Sequence, residues 1–323
     1  MASIYVTREI PNRGIEMLKD AGHDVTVSDK DGVLSKEELV TQLQGKAYDA
    51  VLCLLTDTID AEVFDAVPSA QIFANYAVGY NNIDVEAAKE RGVTVTNTPG
   101  VLTETVAEHA FALILSVVRR IPEGDRFTRA GKYEGWGPQL LLGNSLAGRT
   151  LGILGAGRIG QQVAECAHRA FGTTIIYNDI QKNAELEEST GATFVSEVDG
   201  VFEQADIISV HVPLLESTRH LVSRERLAKM KTGAYLINTS RGPVIDEVAL
   251  VEALQEKSIK GAGLDVFEFE PELSEGLAQL ENVVLTPHIA SATEETRQKM
   301  SELAAQNIID KLAGETPAHV VGG

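Results

Sequence analysis

Three ionisable residues fall just beyond apolar, strand-like runs in the second half of the chain. Arg241 follows Leu236-Ile-Asn-Thr-Ser240, Glu270 follows Leu264-Asp-Val-Phe267, and His288 follows Val284-Leu-Thr-Pro287. In an open parallel sheet, ligands bind in the crevice outside the carboxyl ends of the strands. A guanidinium, a carboxylate and an imidazole delivered there suit reduction of a 2-keto acid. A guanidinium grips a carboxylate bidentately and polarises the neighbouring carbonyl. An imidazole gives up the proton and takes it back in the reverse direction. A carboxylate beside the imidazole favours its charged form and fixes its orientation. Taken singly, each has an ordinary reading as a loop arginine, a surface acid or a histidine after proline. Three successive strand ends carry the argument.

Upstream lies Thr150-Leu-Gly-Ile-Leu-Gly-Ala-Gly-Arg-Ile-Gly160, an apolar strand running into Gly155-Ala-Gly157-Arg158-Ile159-Gly160. The pattern G-x-G-x-x-G alone is weak, but its context is specific. A helix follows, with Val163, Ala164, Ala167 and Ala170 on one face, then a second strand, Thr174-Ile-Ile-Tyr177. Asp179 stands nineteen residues after Gly160. In such a unit Gly155 permits the tight turn, Gly157 admits a pyrophosphate, and Gly160 allows close helix–strand packing. The helix N-terminus offers free N–H groups to phosphate. Asp179 is placed to accept the ribose hydroxyls and to repel a 2′-phosphate, so NAD(H) is expected over NADP(H).

The elements that must position these groups alternate between strand and helix patterns, which predicts a parallel α/β architecture. Strands are expected at Ile4–Val6, Val25–Val27, Ala50–Leu55, Ile72–Ala74 and Val93–Thr96, with helices at about 11–21 and 36–43. Thr105-Val-Ala-Glu108 reads as a capping box opening a long buried helix to about Ile121, with Arg119 and Arg120 at its far end. Residues 124–151 read as a structured excursion of weak periodicity. Further strands are expected at 207–210, 234–237, 262–266 and 283–285, then a last helix at about 294–312.

The 323 residues suggest two domains, and 44% hydrophobic with 23% charged residues is a globular composition. A formal net charge of −19 argues against nucleic acid and anionic membranes as partners. The N-terminus has neither a basic n-region nor an apolar h-region, and no apolar run is long enough to span a bilayer. Cys53 and Cys166, without metal or redox spacing, are expected as buried free thiols in a reducing compartment, hence the cytoplasm. No metal site is expected.

The chain also resembles the D-isomer-specific 2-hydroxyacid dehydrogenase family along essentially its whole length. The matching segments are Asn75–Asp84, Val95–Pro99, the glycine fingerprint, His211–Leu214, Asn238–Asp246, Gly263–Pro271 and Thr286–Ala292. Within that family, Val6-Thr-Arg-Glu-Ile-Pro11 and Cys53-Leu-Leu-Thr56 are most similar to glyoxylate/hydroxypyruvate reductases. The resemblance implies two Rossmann-like or flavodoxin-like domains. Residues 1–98 plus 289–323 would form a split substrate-binding domain, with an NAD-binding domain, 99–288, inserted and hinges near 98–103 and 286–292. It implies that Arg241, Glu270 and His288 are the catalytic set. Leu55, Val78, Gly79 and Trp136 would meet the substrate, with Trp136 reaching a partner's site in a homodimer. Thr105, Arg158, Ile159, Asp179, His211, Pro213, Thr218, Thr239 and Asp265 would line the cofactor.

The implied reaction is NADH-dependent reduction of glyoxylate or hydroxypyruvate. The alternatives are another D-2-hydroxy acid, such as D-lactate or phosphoglycerate, and an NADH-sensing corepressor-like module. Only 35 residues follow His288, too few for the regulatory domain that phosphoglycerate dehydrogenases append. Glu270 argues against the formate dehydrogenases of this fold, which carry Gln in the catalytic set.

Overall fold

The computed structural model describes residues 1–322. The chain divides into two compact units, residues 1–102 with the segment from Ala292 onward, and Thr103–Ser291. Each is built on a wholly parallel sheet, so the expected α/β class holds for both.

In the first unit the strands are β1 (Ser3–Val6), β2 (Asp24–Val27), β3 (Ala50–Leu54), β4 (Ile72–Tyr76) and β5 (Thr94–Thr96), in the order β2-β1-β3-β4-β5. A parallel sheet is covered on both faces, which is why β3 and β4 are almost continuously buried rather than alternating. The helices Asn12–Asp20 and Glu294–Leu312 pack against each other at very close range. A Cβ on Gly14 would lie 2.3 Å from Ser301, whose hydroxyl accepts the Gly14 N–H at 2.9 Å and donates to the Pro11 carbonyl at 2.7 Å.

The second unit holds β6 (Thr150–Leu154), β7 (Thr174–Asn178), β8 (Thr193–Phe194), β9 (Ile207–Val210), β10 (Tyr235–Asn238), β11 (Gly261–Leu264) and β12 (Val283–Leu285). Their order is β12-β11-β10-β9-β6-β7-β8. Side chains alternate between faces along each strand. Ile153, Ile175, Tyr177, Ile207 and Ile237 pack with the helices Thr103–Val118 and Arg158–Phe171. Leu154, Ile176, Ile208, Leu236 and Leu264 pack with the helices Val198–Gln204, Arg224–Leu227 and Glu247–Gln255. The chain leaves β6 toward β7 on one side and returns to β9 on the other. The carboxyl ends of β6 and β9 therefore flank the topological switch point.

Several local expectations are corrected. The first long helix of this unit spans Thr103–Val118, so Thr105 lies inside its first turn and does not cap it. After the turn at Gly100, φ 87°, the helix begins three residues earlier than the capping-box reading requires. The helix stops at Val118, short of Ile121. Pro122 has no N–H to bond the Val118 carbonyl, which instead accepts Asn144 N–H at 3.0 Å. Arg120 turns left-handed at φ 56°, and a separate helix, Ile121–Arg129, begins. Arg119 and Arg120 thus sit beyond the helix, and the first part of the expected excursion is helical. Ala170 is exposed rather than buried. It lies on the open side of the helix's last turn, whose Phe171 packs instead against Phe111 with ring centroids 5.5 Å apart. Cys53 is buried, but Cys166 is only partly so, at the edge of the sheet-facing stripe; both are free thiols.

Candidate active site

The turn from β6 into the helix Arg158–Phe171 is shaped by its glycines. Gly155 adopts φ 91°, and a Cβ there would stand 2.8 Å from the His211 main chain, which brings the ends of β6 and β9 into contact. A Cβ on Gly160 would lie 2.1 Å from the Gly155 carbonyl oxygen. Around Gly157, by contrast, nothing lies within 4 Å of a built Cβ. The helix N-terminus has no side-chain cap and no acid in its first turn. Arg158 is exposed and makes no ion pair among the described residues. An open glycine, uncapped N–H groups and an adjacent cation fit a pyrophosphate.

The other expected cofactor residues lie at neighbouring strand ends. Asp179 follows β7, and its carboxylate accepts the N–H groups of Ala156 at 2.7 Å and Ile180 at 2.6 Å. It therefore also pins the glycine turn. Burial pushes the His211 imidazole down to about 4, keeping the ring neutral, and its Nε2 lies 2.8 Å from the Ser209 hydroxyl. Thr218 donates its hydroxyl proton to the Pro213 carbonyl at 2.6 Å and so shapes the loop after β9. The Thr239 hydroxyl, just beyond β10, is buried with no hydrogen-bond partner among the described residues. Such an unsatisfied group suits a ligand-lined surface.

Arg241, Glu270 and His288 are brought together by three loops. His288 Nδ1 lies 3.0 Å from Glu270 Oε2, and the second Glu270 oxygen accepts Phe267 N–H at 3.0 Å. Burial acts to raise the Glu270 carboxyl. The hydrogen bond and charge of His288, the Phe267 N–H and the charge of Arg241 outweigh it, holding the group below its ordinary value. Arg241 is largely enclosed; burial lowers it against the pull of Glu270, yet a guanidinium stays charged. The approach of these loops depends on Gly242, where a Cβ would fall 1.8 Å from the Phe267 carbonyl oxygen.

Sequence reasoning missed what stands behind His288. The Asp265 carboxylate, with no accessible surface, accepts the Thr286 hydroxyl at 2.6 Å and the N–H groups of Ile289 and Ala290, each at 2.8 Å. His109 Nε2 lies 3.3 Å from the same carboxylate and 3.0 Å from the Thr286 hydroxyl oxygen. Expected only to line the cofactor, Asp265 is committed to internal donors, which hold its carboxyl low despite burial.

The expected substrate contacts Leu55, Val78 and Gly79 follow β3 and β4 in the first unit. The carbonyls of Val78 and Gly79 accept the side-chain amides of Asn97 at 2.7 Å and Asn75 at 3.0 Å. Among the described residues their N–H groups have no acceptor. Trp136 is 84% exposed in the segment after Ile121–Arg129, near exposed Tyr133, Leu140 and Leu142. A cavity of about 550 Å³ lies at the opposite, amino-terminal edge of β10–β12 and includes none of the expected site residues.

Residues 111–290 match the family model for the NAD binding domain of D-isomer specific 2-hydroxyacid dehydrogenases. The chain belongs to that family. This dehydrogenase is an oxidoreductase with a nicotinamide cofactor. It is 49% identical over 320 residues to a glyoxylate reductase of Thermofilum pendens, covering 98% of this chain and 94% of the relative. It is 48% identical to a glyoxylate reductase of Korarchaeum cryptofilum, covering 98% and 95%. A solved protein of Thermus thermophilus superposes with a TM-score of 0.92 at 42% identity, covering 99% of each chain. An NADPH-dependent glyoxylate/hydroxypyruvate reductase of Sinorhizobium meliloti, solved with NADP and malonate, gives 0.86 at 35% identity, covering 99% and 97%. Among the described residues, no helix is long and apolar enough to cross a membrane, and no cluster of His, Cys, Asp or Glu is suited to a metal ion.

Proposed function

We propose that this dehydrogenase reduces glyoxylate and hydroxypyruvate to glycolate and D-glycerate with NADH. The observation that carries the reading is the His288–Glu270 contact of 3.0 Å beside the enclosed Arg241. When bound, the nicotinamide supplies the hydride. Arg241 holds the substrate carboxylate and polarises its carbonyl; Val78 and Gly79, whose N–H groups have no acceptor among the described residues, are candidate carboxylate donors in the first unit. Glu270 fixes the His288 ring through Nδ1, so that Nε2 carries the proton delivered to the carbonyl oxygen. The names of the archaeal relatives support glyoxylate as substrate.

Preference for NADH rests on Asp179, whose charge opposes a 2′-phosphate at the end of β7. The Sinorhizobium relative, named as NADPH-dependent, makes that preference a property to be measured here. The exposed Ile121, Tyr133, Trp136, Leu140 and Leu142 support a homodimer in which a second copy covers them. Residence in the cytoplasm, with small keto acids as the only ligands besides the cofactor, completes the reading.

Steady-state rates on a panel of 2-keto acids with NADH and NADPH test it. Glyoxylate or hydroxypyruvate should give the highest kcat/KM, NADH should be favoured, and Asp179→Ser should erode that preference. Tight NADH binding with negligible turnover on every keto acid would point to a sensor instead.

A further inference from the structure

We propose that His109 is a positioning residue for His288, acting through Thr286 and the buried Asp265 carboxylate. The inference rests on the reading of His288 as the proton carrier.

His288 holds φ 54°, a left-handed conformation that a side chain with a Cβ keeps only where its surroundings impose it. Here Asp265 imposes it. Its main-chain carbonyl accepts His288 N–H at 2.9 Å, while its carboxylate takes Thr286 on one side and Ile289 and Ala290 on the other. The loop is thus tied to one residue before, at and after the proton carrier.

His109 enters from a different element, the helix Thr103–Val118, among buried Val106, Ala107 and Ala110. Its Nε2 faces two oxygens, Thr286 Oγ1 at 3.0 Å and Asp265 Oδ1 at 3.3 Å. The short Thr286–Asp265 contact of 2.6 Å uses the only hydroxyl proton of Thr286. Both oxygens therefore present lone pairs to Nε2, which must carry the proton and donate. A core histidine serving only packing would not need this polar end. Removing the donor takes a hydrogen bond from the Thr286 hydroxyl oxygen and a nearby N–H from the buried Asp265 carboxylate, loosening the segment that leads into His288.

The test compares the full-length wild type with His109→Leu, which keeps volume but not the donor, and His109→Gln, whose amide nitrogen reaches about as far as Nε2. Rates are measured with glyoxylate and with NADH or NADH deuterated at the transferred position. For His109→Leu, kcat should fall roughly 10- to 100-fold, as expected for small misplacement of a reacting group, with KM for glyoxylate changed less than about threefold. The deuterium effect on kcat should rise, and His109→Gln should recover most of the rate. Hydrogen exchange of segment 286–290 should be faster in the Leu variant than in the wild type or the Gln variant. If His109→Leu destabilises the fold, Thr286→Val should show the same split between kcat and KM. Unchanged exchange and kcat in His109→Leu would overturn the proposal, as would equal losses in the Leu and Gln variants. Because exchange is read without substrate, failure of the clamp is distinguishable from failure of the substrate assignment, which would show as an inactive wild type.

Discussion

Gly157 and Gly160 stand three residues apart in one turn, yet their environments predict opposite consequences for the same added methyl group. At Gly157 the backbone has φ −72° and ψ −169°, which alanine adopts freely, and nothing lies within 4 Å of the new Cβ. Gly157→Ala should therefore stabilise the ligand-free protein by about 0.4–1 kcal/mol through the unfolded chain. For a unit of this size that raises the melting temperature by about 1–4 °C. The methyl nevertheless projects into the open space that we propose for the pyrophosphate. Losing one charge-assisted backbone hydrogen bond, worth about 1.5–3 kcal/mol, weakens NADH binding roughly 10- to 150-fold. At Gly160 the added Cβ would meet the Gly155 carbonyl oxygen at 2.1 Å and Ile153 Cγ2 at 3.0 Å. The clash is with main chain, so relief requires a shift of about 1 Å. Overpacking of this kind costs about 1–3 kcal/mol, or about 2–12 °C in melting temperature. The assays are thermal unfolding of the ligand-free protein and titration of NADH fluorescence. A Gly157→Ala variant that melts slightly higher but binds NADH within twofold of the wild type would refute the assignment of this turn to the pyrophosphate. A Gly160→Ala variant as stable as the wild type would refute the packing argument.

Two further perturbations address the proton and the carboxylate. Arg241→Ala should raise KM and lower kcat together, reducing kcat/KM roughly 10²- to 10⁴-fold through loss of two charge-assisted bonds; an effect on neither constant removes it from the site. Glu270→Gln should lower kcat at neutral pH on the order of 10²-fold or more, because His288 loses the charge that orients it. Its stability also depends on pH in a definite direction. Burial acts to raise this carboxyl, but His288, the Phe267 N–H and Arg241 leave it below the ordinary value of about 4.3. The stabilisation it confers is complete above that value and fades as pH falls through the lower native one. The gap in melting temperature between wild type and Glu270→Gln should accordingly close in acid; a gap independent of pH would contradict the pairing.

What the sequence disclosed follows the range of the forces involved. Gly155 and Gly160 are dictated by backbone geometry within a few residues, so their spacing announces the turn. Arg241 and His288 were legible because the apolar runs of β10 and β12 end just before them. The break at Val118 was legible in principle: Pro122 cannot donate to that carbonyl, and its donor, Asn144, lies outside any local window. The two-residue β8 carries too few side chains to show a period. The His109–Asp265 contact joins residues 156 positions apart. In sequence, His109 is one polar residue in an apolar helix, and nothing local distinguishes a clamp from a satisfied core histidine.

The charge of the chain and the charge of its ligands also become compatible once distance is considered. With 47 acidic against 28 basic side chains, the molecule as a whole repels a pyrophosphate and a keto-acid carboxylate. Exposed charges are screened beyond about 8 Å at physiological ionic strength, so capture is decided by what stands within that radius. The helices Lys36–Gln44, Glu247–Gln255 and Glu294–Leu312 carry acids in their first turns, where the helix dipole welcomes them. The helix after Gly157 carries none there and begins with Arg158, leaving its positive end to a ligand. At the other pole, Glu270 is the acid whose charge acts on Arg241, and one of its oxygens is engaged by His288 while the other takes a backbone N–H. Neither oxygen is left to add uncompensated negative charge beside the guanidinium. Local removal of negative charge, rather than global basicity, is what lets so acidic a protein hold two anions.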